Sequence, residues 1–458
     1  MDGIHRSPKD DHSATVLSPA LLNEEHVADI VERLNAVSLR TAVDVLSRLP
    51  DERAVEVLDQ PELDAAAELV AALPADRAVH LLAGMSADRT AEVFRDLEEP
   101  VRSQLMQRLD LVTKSEVQQL LAYPPRTAGA LMTTEFVSVP AGWTVAQTLD
   151  HIRHVERTRE TVYAIYVLDP ATSALVQTVT LRRLITGEPD ASILTAAPPR
   201  KPVTVSGLMD QEEVARLFTK YDLLAVPVVD AADRVLGIVT VDDVIDAIVE
   251  EGTEDVQKLG GMEALDEPYM QIGFLDMIRK RAGWLCALFI SEMLTASAMQ
   301  HFADELEKAI VLTLFIPLIM SSGGNSGSQA TSLLIRAIAL REVRLRDWWR
   351  VALRELPTGI MLGSILGALG VARIAAWQLI GIYDYGPYWM LIAATVGVGL
   401  IGIVTFGSLS GSMLPFLLKR LGFDPASASA PFVATLVDVT GLVIYFSVAL
   451  IFLRGTLL

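Results

Sequence analysis

The sequence predicts a multidomain membrane protein: an α-helical superhelix, a tandem α/β pair, a connecting helix and a five-helix all-α transmembrane domain. Three observations lead there. Residues 21–126 read as short amphipathic helices, residues 127–251 hold an internal strand–turn–strand repeat, and five long apolar segments follow residue 280. Charge divides along the same line. Of 57 Asp and Glu and 38 Lys and Arg, 11 and 14 lie in residues 271–458, which leaves 46 and 24 in residues 1–270. So acidic a half repels phosphate, which excludes nucleic acid as a partner, and it suits cations. The single cysteine, Cys286, rules out an intrachain disulfide and a cysteine-based zinc site. No nucleophile–base pair, phosphate loop or zinc motif stands out, so an enzyme is not expected.

The opening MDGIHRSPKDDHSATVLSPA is polar and lacks an apolar core, so residues 1–20 read as a disordered start rather than a signal peptide. Over 21–126, LSRLPDERAVEVLDQ and AALPADRAVHLLAGMSADRTAEVFRDL share one pattern. A Leu-Pro or Met-Ser break precedes Asp-Glu-Arg or Ala-Asp-Arg, and apolar residues then recur at helical spacing. Pro or Ser followed by acids is a helix start, and such a chain of short helices suits a superhelix.

The repeat falls into copies at 127–190 and 191–251. VYAIYVLDPATSALVQTVTLRRLI ends the first and LLAVPVVDAADRVLGIVTVDDVI the second. After it comes an acid run, with Asp243, Asp246, Glu250, Glu251, Glu254 and Asp255 crowding one helix and its extension. Two like charges about 5 Å apart repel by roughly 3 kcal/mol at an effective dielectric near 20. Magnesium favours carboxylates and keeps several waters, so a loose acidic surface suits it. Residues 252–278 connect to the membrane.

The apolar segments run over 282–300, 309–338, 351–380, 388–418 and 426–453, each near or above the ~20 residues that cross a bilayer as a helix. Eleven Lys and Arg flank one side of them and three the other, so the N-terminal half is expected in the cytoplasm and the C-terminus outside. In the last segment Asp438 shares a helical face with Pro431, Ala434, Thr435 and Gly441. No basic residue lies mid-segment to pair with it, so a water-filled cation path is the reading for this carboxylate. Glu292 in the first segment raises the same question. SSGGNSGSQ (321–329) interrupts the second segment. Loosely wound backbone is tolerated at membrane depth only where it is buried in protein or lines a water-filled cavity.

Two resemblances extend this reading. The repeat resembles a tandem pair of cystathionine-β-synthase (CBS) domains, which often bind adenine nucleotides. Gly237 and Thr240-Val-Asp-Asp243 match the family in the second copy. In the first, Gln177 stands for the Gly and Arg183 for the ribose-binding Asp, while Arg182 is kept. The whole chain from 21 to 453 resembles the MgtE-type magnesium channel family, above all in GGNSGSQA (323–330) and PFVATLVDVTGL (431–442). That resemblance implies an N domain over 21–126, a connecting plug helix over 252–278 and a pore domain over 279–458. It also implies a homodimer in the lipid of the inner membrane, with the pore on the two-fold axis. Asp438 then takes the ion-selective site for hydrated Mg²⁺, and Gly323, Gly324, Asn325, Gly327, Gln329, Pro431, Ala434, Thr435 and Glu292 line the pathway. Asp210, Glu212, Asp222, Asp243, Asp246, Glu251, Glu254 and Asp255 become cytoplasmic Mg²⁺ sites that hold the channel shut, with Glu62 a candidate partner from the N domain. ATP modulates some members, which would draw on Arg182 and Asp243. The alternatives are transport of another divalent ion such as Co²⁺, and a membrane Mg²⁺ sensor that carries nothing.

Overall fold

Every break in the N-terminal repeat is a helix boundary in the computed structural model of this chain, which describes residues 22, 25–155, 161–265, 269–270 and 272–457. Helix Leu39–Arg48 stops before Leu49-Pro50 and Asp51–Leu58 begins after it; Ala66–Ala72 and Ala75–Leu82 flank Leu73-Pro74; Ala87–Asp96 follows Met85-Ser86. The arginine of each repeat has a shared task. Arg77 donates to the Leu49 carbonyl at 2.7 Å, and Arg89 to those of Leu58 (3.3 Å) and Gln60 (3.0 Å). Each guanidinium thus satisfies carbonyls left open where an earlier helix ends. Successive helices pack on the second one along, so a continuous core of Leu46, Leu58, Leu69, Leu82 and Phe94 forms, as a superhelix requires. The disordered start expected over 1–20 lies outside the described residues.

The chain divides into two units, Met1–Glu250 and Glu251–Leu458. In the first unit the repeat folds twice in the same way. Strands β1 (Val137–Pro140), β2 (Ala164–Leu168) and β3 (Leu175–Thr180) form one sheet; β4 (Val205–Ser206), β5 (Ala225–Val229) and β6 (Val235–Thr240) form the other. In each sheet the first strand pairs parallel with the second, the second antiparallel with the third, and the register shifts at the same place, Val167/Leu168 and Val228/Val229. Gly237 and Gln177 occupy equivalent positions, opposite Val228 and Val167. A Cβ on Gly237 would lie 2.5 Å from the Thr133 carbonyl. In the first copy the Gln177 side chain donates to the carbonyls of Pro198 (3.1 Å) and Arg200 (2.9 Å).

In the second unit five helices are long and apolar enough to cross a membrane. The first, Phe274–His301, starts earlier than hydropathy alone suggests, because Asp276, Arg279, Lys280 and Arg281 belong to its opening turns. The others run Ile316–Ala339 after a 3₁₀ turn, Trp348–Ile380, Trp389–Arg420 and Ala430–Leu453. SSGGNSGSQ is not unwound: it lies wholly inside the second span. Its glycines serve close packing. A Cβ on Gly323 would meet Ile403 and Val437, and one on Gly327 would lie 2.7 Å from Val433 and 3.1 Å from the Gly407 carbonyl. Gly407 and Gly411 on the fourth span are closed in turn by the carbonyls of Gly323 and Gly327. Small residues substitute for an absent hydrophobic drive between helices in lipid, because they bring backbones into contact. The third and fourth spans meet likewise, with Gly363 against Ile401 and Gly367 against Gly397.

Replacing Gly411 with Val should therefore separate the second and fourth spans and cost about 1–3 kcal/mol. The check is thermal unfolding of the purified protein in detergent. Gly283→Ala, where an added Cβ meets nothing within 4 Å, should leave the midpoint unchanged.

Candidate functional site

In the membrane unit the fifth span starts at Ser429, whose hydroxyl accepts from the Phe432 amide at 3.3 Å. This cap fixes the turn that presents Pro431, Ala434 and Asp438. Asp438 is half-buried, and among the described residues it makes no hydrogen bond or ion pair. The charge acting on it is that of Glu292, an exposed carboxylate of the first span, so its electrostatic neighbour has the same sign. Ala434 lies against Gly324 of the second span, 3.4 Å from where a Cβ on that glycine would sit. Thr435 is buried and its hydroxyl donates to the Pro431 carbonyl at 3.0 Å.

The polar run of the second span has two faces. Gly323, Gly324, Ser326 and Gly327 are buried, and Ser326 bonds Ser408 at 2.7 Å. The expected pathway positions Gly323 and Gly327 therefore face neighbouring spans, and packing takes up their surface. Asn325 and Gln329 are exposed, and Gln329 lines an open cavity of about 480 Å³ with Ser328, Ser332 and Leu333. Asp438 is not part of that lining, so the polar run and the carboxylate present separate surfaces.

In the other unit the acidic residues fall into separate groups. Asp210 and Asp222 stand at opposite ends of one helix, Gln211–Tyr221. Asp210 caps its start by accepting from the Glu212 amide at 2.9 Å, and Asp222 ends it in a left-handed conformation. Glu212 pairs with Arg216 at 3.6 Å. Asp243 and Asp246 instead meet acids of the N-terminal helices. Burial, and then the charge of Asp88, push the Asp243 carboxyl up to about 7 against the hydrogen bonds it accepts from Thr240. Burial, and then Glu62, Asp242 and Glu92, raise Asp246, while Arg89 opposes them. Like charges thus confront one another across the N-terminal helices and the second CBS copy. Glu62 proves to be one of these acids. Asp88 and Glu92 were not legible from sequence, since Ala-Asp-Arg recurs at Asp76 and Asp88 and only the fold brings one of them to Asp243. Glu251, Glu254 and Asp255 belong to the second unit, where Glu254 pairs with Lys258. Among the described residues no three His, Cys, Asp or Glu side chains converge for direct metal ligation.

Arg182 lines a cleft of about 520 Å³ with Tyr163, Thr180, Leu181, Ile185, Thr186 and Leu224. Asp243 is not part of that lining. Arg183, in place of the ribose-binding carboxylate, donates to the Ala196 carbonyl at 3.1 Å. Among the described residues that line it, the cleft offers an aromatic ring and a guanidinium and no carboxylate.

Comparison with known proteins agrees with this architecture. A family profile described as a divalent cation transporter matches residues 316–448, one for the MgtE intracellular N domain matches 25–126, and one for the CBS domain matches 191–250. The magnesium transporter MgtE of Thermus thermophilus is 43% identical over 347 residues, covering 76% of this chain and 74% of the relative. That of Enterococcus faecalis is 36% identical, covering 74% and 72%. The crystal structure of the cytosolic domain of the Mg²⁺ channel MgtE in complex with ATP is similar to 50% of this chain and 93% of its own, at 37% identity and a TM-score of 0.47. This chain belongs to the MgtE family of divalent cation transporters.

Proposed function

We propose that this protein is a Mg²⁺ channel, a passive entry pathway in the inner membrane closed by Mg²⁺ on its cytoplasmic acids. The observation that carries it is Asp438, a half-buried carboxylate in a membrane span with no base beside it and a second acid, Glu292, as its neighbour. Holding such a group ionised at membrane depth costs several kcal/mol unless water or a cation offsets it. Magnesium gives up its water reluctantly and is held through one or two carboxylates. One carboxylate among small residues suits a hydrated ion better than a naked one. The kinship with the magnesium transporters of Thermus thermophilus and Enterococcus faecalis supports that choice of cargo. The pore lies on the two-fold axis of a homodimer, and basic residues between spans place the N-terminal half in the cytoplasm.

Closure follows from the opposed acids. With little internal Mg²⁺, Asp243 and Asp246 repel Asp88, Glu62 and Glu92, and the cytoplasmic part loosens. With Mg²⁺ between them the repulsion is screened and the compact, closed state wins. Full switching requires the ion to favour the closed state by about 5.5 kcal/mol, the energy that moves 1:99 to 99:1. Several weak sites, with Asp210, Glu212, Asp222, Glu251 and Asp255 contributing, add toward that. ATP, as a modulator, would draw on Arg182 and Asp243.

Three outcomes test the reading. Asp438→Asn in liposomes should cut Mg²⁺ flux at least tenfold, since the charge-assisted contact is worth about 1.5–3 kcal/mol; flux at the wild-type rate would remove the carboxylate from the pathway. Neutralising Asp243 and Asp246 together should leave ion preference intact and raise the internal Mg²⁺ needed for closure. The third is pH dependence. Asp243, pushed up to about 7, binds a proton in the folded state between about pH 4 and 7 that the unfolded chain has released. Its contribution to stability is complete below that window and is lost as pH rises through 7. Magnesium needs the ionised form, so protons compete with it. Closure should need about tenfold more internal Mg²⁺ at pH 6 than at pH 8, and Asp243→Asn should remove that dependence.

A further inference from the structure

In the second unit a lysine joins the end of the connecting helix to the loop that enters the fifth span. Helix Val241–Leu259 carries Lys258 in its last turn. Its ammonium contacts two carboxylates: Glu254, one turn back and 8% exposed, and Asp424, at 2.5 Å, in the loop between the fourth and fifth spans. Burial works against this ammonium, yet the hydrogen bonds it donates to Asp424 and Glu254 outweigh it and raise its pKa, so it stays charged.

The other oxygen of Asp424 accepts from the Ala426 amide at 2.9 Å and caps the turn Pro425–Ser427. Leu259 packs beside Ala426, Ala428, Ile335, Leu414 and Leu418. Gly261 takes a positive φ of 75° against Trp284, whose indole donates to Ser429 at 3.1 Å. Ser429 is the cap of the fifth span, nine residues before Asp438, or about 14 Å along the helix. Both carboxylates and the ammonium are thus bonded to elements that set where the fifth span begins.

We propose that Lys258 is a positioning residue, an internal cation that fastens the connecting helix to the mouth of the pathway and so favours the closed state. Glu254, an acid otherwise assigned to Mg²⁺, is held by the chain's own ammonium. The proposal rests on the channel reading above. Loss of the ammonium removes the bond it makes from the helix to the loop at Asp424 and the charge that separates the like charges of Glu254 and Asp424, which loosens the helix end from the loop.

The test uses the purified full-length protein, with Mg²⁺ flux in liposomes against internal Mg²⁺ and amide exchange of residues 251–261 measured in parallel. In Lys258→Met the Mg²⁺ needed for half-closure should rise about tenfold, flux at low internal Mg²⁺ should be unchanged, and exchange of 251–261 should quicken. Asp424→Asn should give the same shift, the double variant no more, and Lys258→Arg should restore closure. A half-closing concentration that stays put or falls, or single-variant shifts that multiply in the double, would overturn the latch. A wild type that carries no Mg²⁺ would instead overturn the channel reading. Exchange then decides the latch alone: equal exchange in wild type and Lys258→Met contradicts it, and faster exchange in the variant supports it.

Discussion

A negative charge at membrane depth must be answered by something. In this chain the fifth span places Asp438 half-buried with no base beside it and Glu292 as its charged neighbour. The bundle is built so that water and a mobile cation can supply the answer. The residues near Asp438 are small, and Gly324 lets Ala434 approach the second span closely. Glycines of the second, third and fourth spans close the rest of the bundle by backbone contact, while Asn325 and Gln329 of the polar run stay exposed.

The same kind of repulsion recurs among the acids of the first unit. Asp243 and Asp246 are opposed by Asp88, Glu62 and Glu92 rather than by bases, and burial adds to the cost of their charge. A structure held against such repulsion is one a divalent ion can tighten, because two carboxylates facing each other form half of a coordination site. Lys258 shows the complementary solution, with a carboxylate pair satisfied by an ammonium the chain carries itself. One family of acids is thus left for an external cation, and another is bound by an internal one.

Much of this was legible in the sequence, for reasons that differ between regions. The five spans follow from length and hydropathy, and the start of the first was clipped because Asp276 to Arg281 carry charge on a helix that continues regardless. The strand repeat was visible because both copies alternate apolar residues in matching order. SSGGNSGSQ misled in one respect: glycines and serines that read as loosened backbone are helical, because close neighbours on the fourth span supply the packing their own side chains lack. Asp88 stayed hidden because its local motif is shared with Asp76. Partnership between distant acids is a property of the superhelix and leaves no mark on either segment.

The measurement that bears most directly on the central claim is a high-resolution map of the protein in lipid with abundant Mg²⁺. The account predicts density for an ion about 4 Å from the Asp438 carboxylate, with a water between them, since Mg²⁺ holds its first shell at 2.0–2.1 Å and dehydrates reluctantly. A carboxyl group packed dry against acyl chains, or bonded to an arginine, would contradict it.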